Sequence, residues 1–196
     1  VAMFTLHGFL YDGALQDIFG RGVVQSAVSI NNKGDILANS KTVLLDGVTP
    51  WALKPLSASF PGYSARRIND ARQVVGRAPN DVPLDVPVLW QGDAVTPLGV
   101  LPGTTAGDAF GINESGVVVG TCNVPGVAGS IRPFLWQNGT MTPLPFPNAA
   151  PASVVVRSIN ASGQIVGDGN LSNTSGQVAL LWHEGQVYDL NTLVTN

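Results

Sequence analysis

The chain has 196 residues, a net charge of -3 and only 12% charged side chains, with no basic run and no acidic tail. Phosphate neutralisation needs clustered Lys and Arg, so this composition argues against a nucleic-acid partner. No apolar run approaches the roughly 18 residues of a membrane span, while 44% hydrophobic residues supply a core and argue against disorder.

Gly (23) and Pro (14) are both frequent and follow no collagen period, which suits short strands joined by tight turns. Residues 1–23 carry one apolar triplet, Phe9-Leu10-Tyr11, followed by Gly13. Residues 24–57 begin a fuller pattern: a strand ending at Ile30-Asn31, then Gly34, a small residue Ala38, Val43-Leu44-Leu45, Gly47 and Pro50. Residues 58–104 repeat it with Ile68-Asn69, Arg72 in place of Gly, Gly76, Val88-Leu89-Trp90, Gly92 and Pro97. Residues 105–147 give Ile112-Asn113, Gly116, Gly120, Phe134-Leu135-Trp136, Gly139 and Pro143. Residues 148–196 give Ile159-Asn160, Gly163, Gly167, Leu180-Leu181-Trp182 and Gly185. The Ile-Asn pairs are 38, 44 and 47 residues apart.

Each complete unit reads as four strands, A to D. Asn-x-x-Gly between A and B has the signature of a β-turn whose last residue takes positive φ. Arg72 at that position is expected to cost about 1 kcal/mol. A Gly turn, clearest at Asn138-Gly139, joins C to D. The prolines in D lack an N–H for a ladder and place D at a sheet edge. One four-stranded antiparallel sheet per 40–47 residues predicts an all-β fold, a five-bladed β-propeller in one domain spanning 1–196. Four blades are complete and the fifth is partial, within 1–23. Trp90, Trp136 and Trp182 recur once per unit, which reads as packing between blades with each indole N–H on a carbonyl.

In this architecture the B–C connections, read as Arg77 to Pro87, Thr121 to Pro133 and Asp168 to Val178, are the irregular loops of one face. Such loops on a rigid frame are where binding residues collect. The candidates there are Asp81, Asp85, Arg132, Asn170 and Asn173. Arg66, Arg67 and Arg157 on A strands are candidates for a cationic channel mouth. Solvated loop polarity and strand-end cations are the plainer readings of both sets. No catalytic group, metal set or cofactor motif can be picked out, and the chain is read as non-enzymatic. Cys122 is the sole cysteine, so no internal disulfide forms, and it reads as a small apolar residue. Sequons at Asn113, Asn138 and Asn160 fall in the turns and read as turn chemistry.

The two motifs, GINESGVVVG from Gly111 and PFLWQNGTMTPL from Pro133, resemble the HAF repeat family of bacterial "probable extracellular repeat" proteins. HGFLYDGALQDIFG from His7 and LLWHEGQVYDLNTL from Leu180 are similar, so the resemblance covers nearly the whole chain. The first Gly of the motif is Ser29, Arg67 or Ser158 in the other units, and the His-Ala pair survives only as His7-Gly8. The resemblance implies an extracellular or cell-surface repeat protein that acts as a scaffold, self-assembly or protein-interaction module, with no catalytic residue to carry over. A carbohydrate-binding, lectin-like propeller is the alternative. Self-association through the terminal half-blade is the expected partner mode. The chain opens at Val1 and is expected to be processed or partial, with the family pattern continuing past Asp189-Leu190-Asn191-Thr192-Leu193 into a further Ile-Asn half-repeat.

Overall fold

The computed structural model describes residues 9–11, 13–17, 26–38, 41–45, 49–127, 129–145, 153–170 and 176–193. These form an all-β structure, built mostly of antiparallel four-stranded sheets. Strands β1 (Phe9–Tyr11) and β2 (Leu15–Asp17) pair with each other. The first four-stranded sheet is β3 (Ala27–Ile30), β4 (Ile36–Ala38), β5 (Thr42–Leu45) and β6 (Thr49–Ala52), in chain order. The second is β7 (Ser64–Ile68), β8 (Val74–Pro79), β9 (Asp85–Gln91) and β10 (Ala94–Pro97). The third is β11 (Ala106–Ile112), β12 (Val118–Asn123), β13 (Ile131–Gln137) and β14 (Thr140–Pro143). The fourth is β15 (Ser153–Ile159), β16 (Ile165–Asn170), β17 (Gln177–His183) and β18 (Gln186–Asp189), and one parallel bridge, Ile131 to Ser153, ties it to the third. A 3-10 turn, Leu190–Thr192, follows, and among the described residues no helix is long and apolar enough to cross a membrane.

Three hydrophobic cores lie between consecutive sheets. Leu37, Val43 and Leu53 of the first sheet and its exit meet Ile68, Val74, Val88 and Trp90 of the second. Val75, Leu98 and Leu101 meet Ile112, Val118, Cys122 and Phe134 of the third. Val117 and Val119 meet Val154, Val156, Ile159, Ile165, Leu180 and Trp182 of the fourth. Neighbouring residues such as Val74 and Val75 feed opposite cores because strand side chains alternate. The second and third sheets are thus buried on both faces, and burial of each large aliphatic contributes roughly 1.5–3 kcal/mol. Trp90 donates its indole N–H to the Lys54 carbonyl at 2.7 Å, and Trp182 donates to that of Pro145 at 2.5 Å. Both acceptors lie on the chain leaving the preceding sheet. Trp136 is half-buried against the middle core.

The last strand of each four-stranded sheet is an edge, and three of the four carry a proline that suits this place: Pro50, Pro97 and Pro143 lie on β6, β10 and β14. Two further prolines correct the expected loop limits. Pro87 and Pro133 sit inside β9 and β13, and Arg77, Asp85, Arg132 and Asn170 are strand residues: second strands run on to Pro79, Asn123 and Asn170, and third strands begin at Asp85, Ile131 and Gln177. Leu98 donates to the Pro87 carbonyl at 2.9 Å and Leu144 to that of Pro133 at 3.0 Å. A residue's N–H and C=O point to the same neighbour in an antiparallel pair, so each missing N–H faces the end of the edge strand and β8 and β12 lose nothing.

The Ile-Asn turns link the sheets in series. In each, the Asn carbonyl accepts from the residue three on, at 3.0–3.2 Å, and that residue has positive φ: Gly34 78°, Arg72 59°, Gly116 76°, Gly163 81°. The Asn Oδ1 accepts from the N–H four residues on, at 2.8–3.0 Å. Nδ2 then reaches the next sheet: Asn31 donates to the Asn69 carbonyl (3.0 Å), Asn69 to Asn113 (3.0 Å) and Asn113 to Asn160 (3.2 Å). A parallel row runs one residue along. Asn32 N–H donates to Asp70 at 2.7 Å and Asp70 N–H to Glu114 at 2.9 Å. The Asn of the motif is therefore both a turn residue and a sheet-to-sheet latch.

Candidate functional site

The first strands β3, β7, β11 and β15 adjoin one another in order. Each has a register shift against its second strand, between Ala27 and Ser29, Ala65 and Arg67, Ala109 and Gly111, and Val156 and Ser158. Each shift is a β-bulge, and the extra residue is Val28, Arg66, Phe110 or Arg157. Bulges re-aim a side chain and are frequent beside functional sites. The bulge also pushes the preceding carbonyl toward the opposing strand. A Cβ on Gly76, Gly120 or Gly167 would collide with the carbonyl of Ser64, Asp108 or Val155. This is the physical reason for glycine eight positions after Ile68, Ile112 and Ile159, whereas the first sheet takes Ala38 at the same point.

Around the bulges of the second and third sheets lies an ion-paired cluster. Arg66 Nη2 is 2.8 Å and Nε 3.2 Å from Asp108 Oδ2. The Arg66 guanidinium lies over the Phe110 ring, 5.6 Å from its centroid. Arg77 reaches the same Asp108 oxygen at 3.7 Å and Asp85 at 3.3 Å. Two arginines and two carboxylates form a net-neutral chain across two sheets. Asp108 is buried, and its Oδ1 has no hydrogen-bond partner.

Burial pushes the Asp108 carboxyl above its ordinary range, and the Arg66 hydrogen bond and charge only partly oppose this. Because the folded-state pKa is raised, this carboxyl's contribution to stability is complete in acid and is lost as pH rises through the folded value. The neutral isostere Asp108→Asn should match the parent in acid and unfold at higher urea than the parent at neutral pH, with the gap opening as pH rises above the ordinary carboxylate range. Equal midpoints across that range would show that Arg66 fully offsets the burial.

On the fourth sheet Arg157 Nε is 2.5 Å from Asp168 Oδ1, and Gln177 also donates to Asp168. The bond to Asp168 raises the Arg157 pKa further. Arg66 and Arg157 therefore carry their charges beside their own acids rather than bare. Arg67 is half-buried and pairs in register with Val75. Arg132 is exposed opposite Cys122, and Asn170 is the exposed last residue of β16. Asn173 lies outside the described residues. Asp81 accepts from the Ser57 hydroxyl at 2.8 Å and helps line a cleft of about 400 Å³ with Leu56, Asn80, Val86, Pro97 and Val100.

The structure thus brings Arg66 and Asp85 into one cluster and leaves Asp81, Arg132, Arg157 and Asn170 apart from it. Arg77, Asp108, Phe110 and Asp168 were not singled out by sequence. For Phe110 the signal is positional: it stands two residues before its Ile-Asn pair, where Arg66 and Arg157 stand in theirs. Asn113 is 5% exposed with its amide engaged, as the turn reading expects. Burial pushes the Cys122 thiol up, away from the reactive thiolate. Among the described residues, no three His, Cys, Asp or Glu side chains group to hold a metal ion.

Comparison with protein-family models, with curated proteins and with solved structures found no match for this chain.

Proposed function

We propose that the chain is a five-bladed β-propeller of the HAF repeat type, an extracellular or cell-surface, non-enzymatic scaffold that works by docking protein partners on its unfilled blade faces. The four-stranded sheets are its complete blades, and β1–β2 is the outer half of a fifth. Three features support the blade reading: one core between each consecutive pair of sheets, proline-bearing outer edges, and asparagine latches running in one sense from sheet to sheet.

One observation carries the interaction role. Ile30 is 53% exposed, whereas its counterparts Ile68, Ile112 and Ile159 are 4–8% exposed, each packed toward the preceding sheet. Val166 is 41% exposed, whereas Val75 and Val119 are 0% exposed under the following sheet. Apolar side chains that are core elsewhere are left open at the first and fourth sheets, and exposed apolar faces mark interaction surfaces.

Spin labels at Ile30→Cys and Val166→Cys test this reading, because Cys122 is buried and stays unlabelled. In a five-bladed ring both positions flank one slot, two sheet spacings of about 10 Å apart, so the separation is roughly 20 Å or less. A separation of roughly 30 Å or more, as in an open stack of four sheets, ends the ring reading.

The cleft beside Asp81 favours the lectin-like alternative. Its apolar walls, with the Asn80 amide and the Asp81 carboxylate at hand, suit the face and hydroxyls of a sugar ring. A glycan array with the parent and Asp81→Ala is the measurement. Hits lost in the variant support it, and silence from the parent removes it.

A further inference from the structure

We infer that the slot between the fourth and first sheets is a receptor for a β-hairpin of the Ile-Asn-x-x-Gly class that the described residues do not themselves supply. The inference rests on the ring reading above and adds the chemistry of the occupant.

Three observations converge on the same missing piece. First, among the described residues β1 and β2 pair only with each other, and their sequence, Phe-Leu-Tyr and then Gly before Leu-Gln-Asp, is that of a third and fourth strand. Among the described residues they have no first or second strand beside them. Second, the two open apolar residues belong to those inner strands. Ile30 ends a first strand, and Val166 lies on a second. In the filled interfaces, Val75 is covered by a core that includes Ile112 and Val118, and Val119 by one that includes Ile159 and Ile165. In both cases the cover includes the next sheet's inner hairpin.

Third, the asparagine latch is unfinished at both ends in a complementary way. Asn160 Nδ2 donates one hydrogen to Gln164 Oε1 at 2.7 Å, and among the described residues no further sheet takes the other. Among the described residues the Asn31 carbonyl accepts from Gly34 and from no asparagine amide. One incoming asparagine completes both. Its carbonyl accepts from Asn160, and its own Nδ2 donates to the Asn31 carbonyl, which closes the row end to end. The parallel row adds a preference at the next residue. Asp70 and Glu114 accept there from the sheet before, so an acid or amide is expected to accept the Ala161 N–H. The occupant is then a hairpin with Ile-Asn-[Asp/Asn/Glu]-x-Gly at its turn. Its first-strand Ile covers Val166 and its second-strand valine covers Ile30, a form of strand addition with side-chain pockets on both faces.

The test uses the chain's own third hairpin as probe: a fluorescent peptide of residues 106–123 with Cys122→Ser. Saturable one-to-one binding by anisotropy is expected. It should weaken by more than about tenfold with Ile30→Asp or Val166→Asp in the protein, or Asn113→Ala in the peptide. Both protein positions are exposed, so the parent fold is kept, which circular dichroism verifies. A peptide that fails to bind, or binds both protein variants like the parent, overturns the inference. Association of the chain with itself that excess peptide does not displace gives the face to a second copy and also overturns it. The spin-label distance separates the two levels. A short distance with no peptide binding removes the hairpin alone, and a long distance removes the ring on which it depends.

Discussion

Gly120→Ala should lose about 3 kcal/mol or more of folding stability, far beyond the usual cost of a surface alanine. The added methyl would meet the Asp108 carbonyl and the Phe134 ring, the latter at 2.5–2.6 Å. Neither can yield. The carbonyl is fixed by the bulge at Phe110, and Phe134 is fully buried in the middle core. Small-to-large changes in a packed core cost 1–3 kcal/mol when side chains can shift, and here backbone must move as well. Gly163→Ala is the control. Its φ is 81° but nothing lies within 4 Å, so it should cost only about 1 kcal/mol. Urea unfolding of both variants gives the comparison. Equal losses would mean that the bulge is soft, and that the small residue recurs for conformational freedom alone.

That pair of glycines also shows what the sequence could disclose. The periodic Ile-Asn, the positive-φ turn residue and the proline-bearing edge strands obey local rules, so the four sheets and their order were legible. The small residue eight positions on was visible as a pattern, but its cause was not. A bulge is an extra residue in one strand relative to another, and a single strand's sequence does not display its register. The same ignorance hid the cluster. Asp108 matters because it lies beside Arg66, 42 residues away, on an adjoining first strand. Pro87 and Pro133 misplaced the loop limits because a proline bars only one side of a strand, and which side faces the ladder depends on the partner's length. The asparagines were rightly read as turn residues, yet their reach into the next sheet depends on how sheets stack.

Arg72 supplies the second large effect, in which the sign of the result decides between two physical terms. Its φ of 59° should cost about 1 kcal/mol relative to glycine, the residue at this point in the other three turns. Against this, its guanidinium grips Asp35 with Nε to Oδ2 at 2.9 Å and Nη2 to Oδ1 at 3.1 Å. The Asp35 side chain is 0% exposed, while that of Arg72 is 41% exposed. Removing one partner of a fully buried pair costs about 3–5 kcal/mol, and the exposure of Arg72 reduces that through solvent screening. Asn31 Nδ2 still donates to Asp35 at 2.8 Å, which softens the loss again. Arg72→Gly should therefore gain about 1 kcal/mol from the backbone and lose about 2–3 from the carboxylate, for a net loss of 1–2 kcal/mol. Adding Asp35→Asn removes the buried charge, so the double variant should be more stable than Arg72→Gly alone. The double-mutant cycle should return a coupling of about 2 kcal/mol. If Arg72→Gly instead stabilises the protein, the left-handed backbone outweighs the ion pair. The link from the second turn to the first sheet would then rest on the asparagine amide and on Asp70. If the loss appears and the second substitution recovers it, the departure from glycine in this one turn is explained: a strained backbone held in place because the side chain it carries neutralises a carboxylate that water cannot reach.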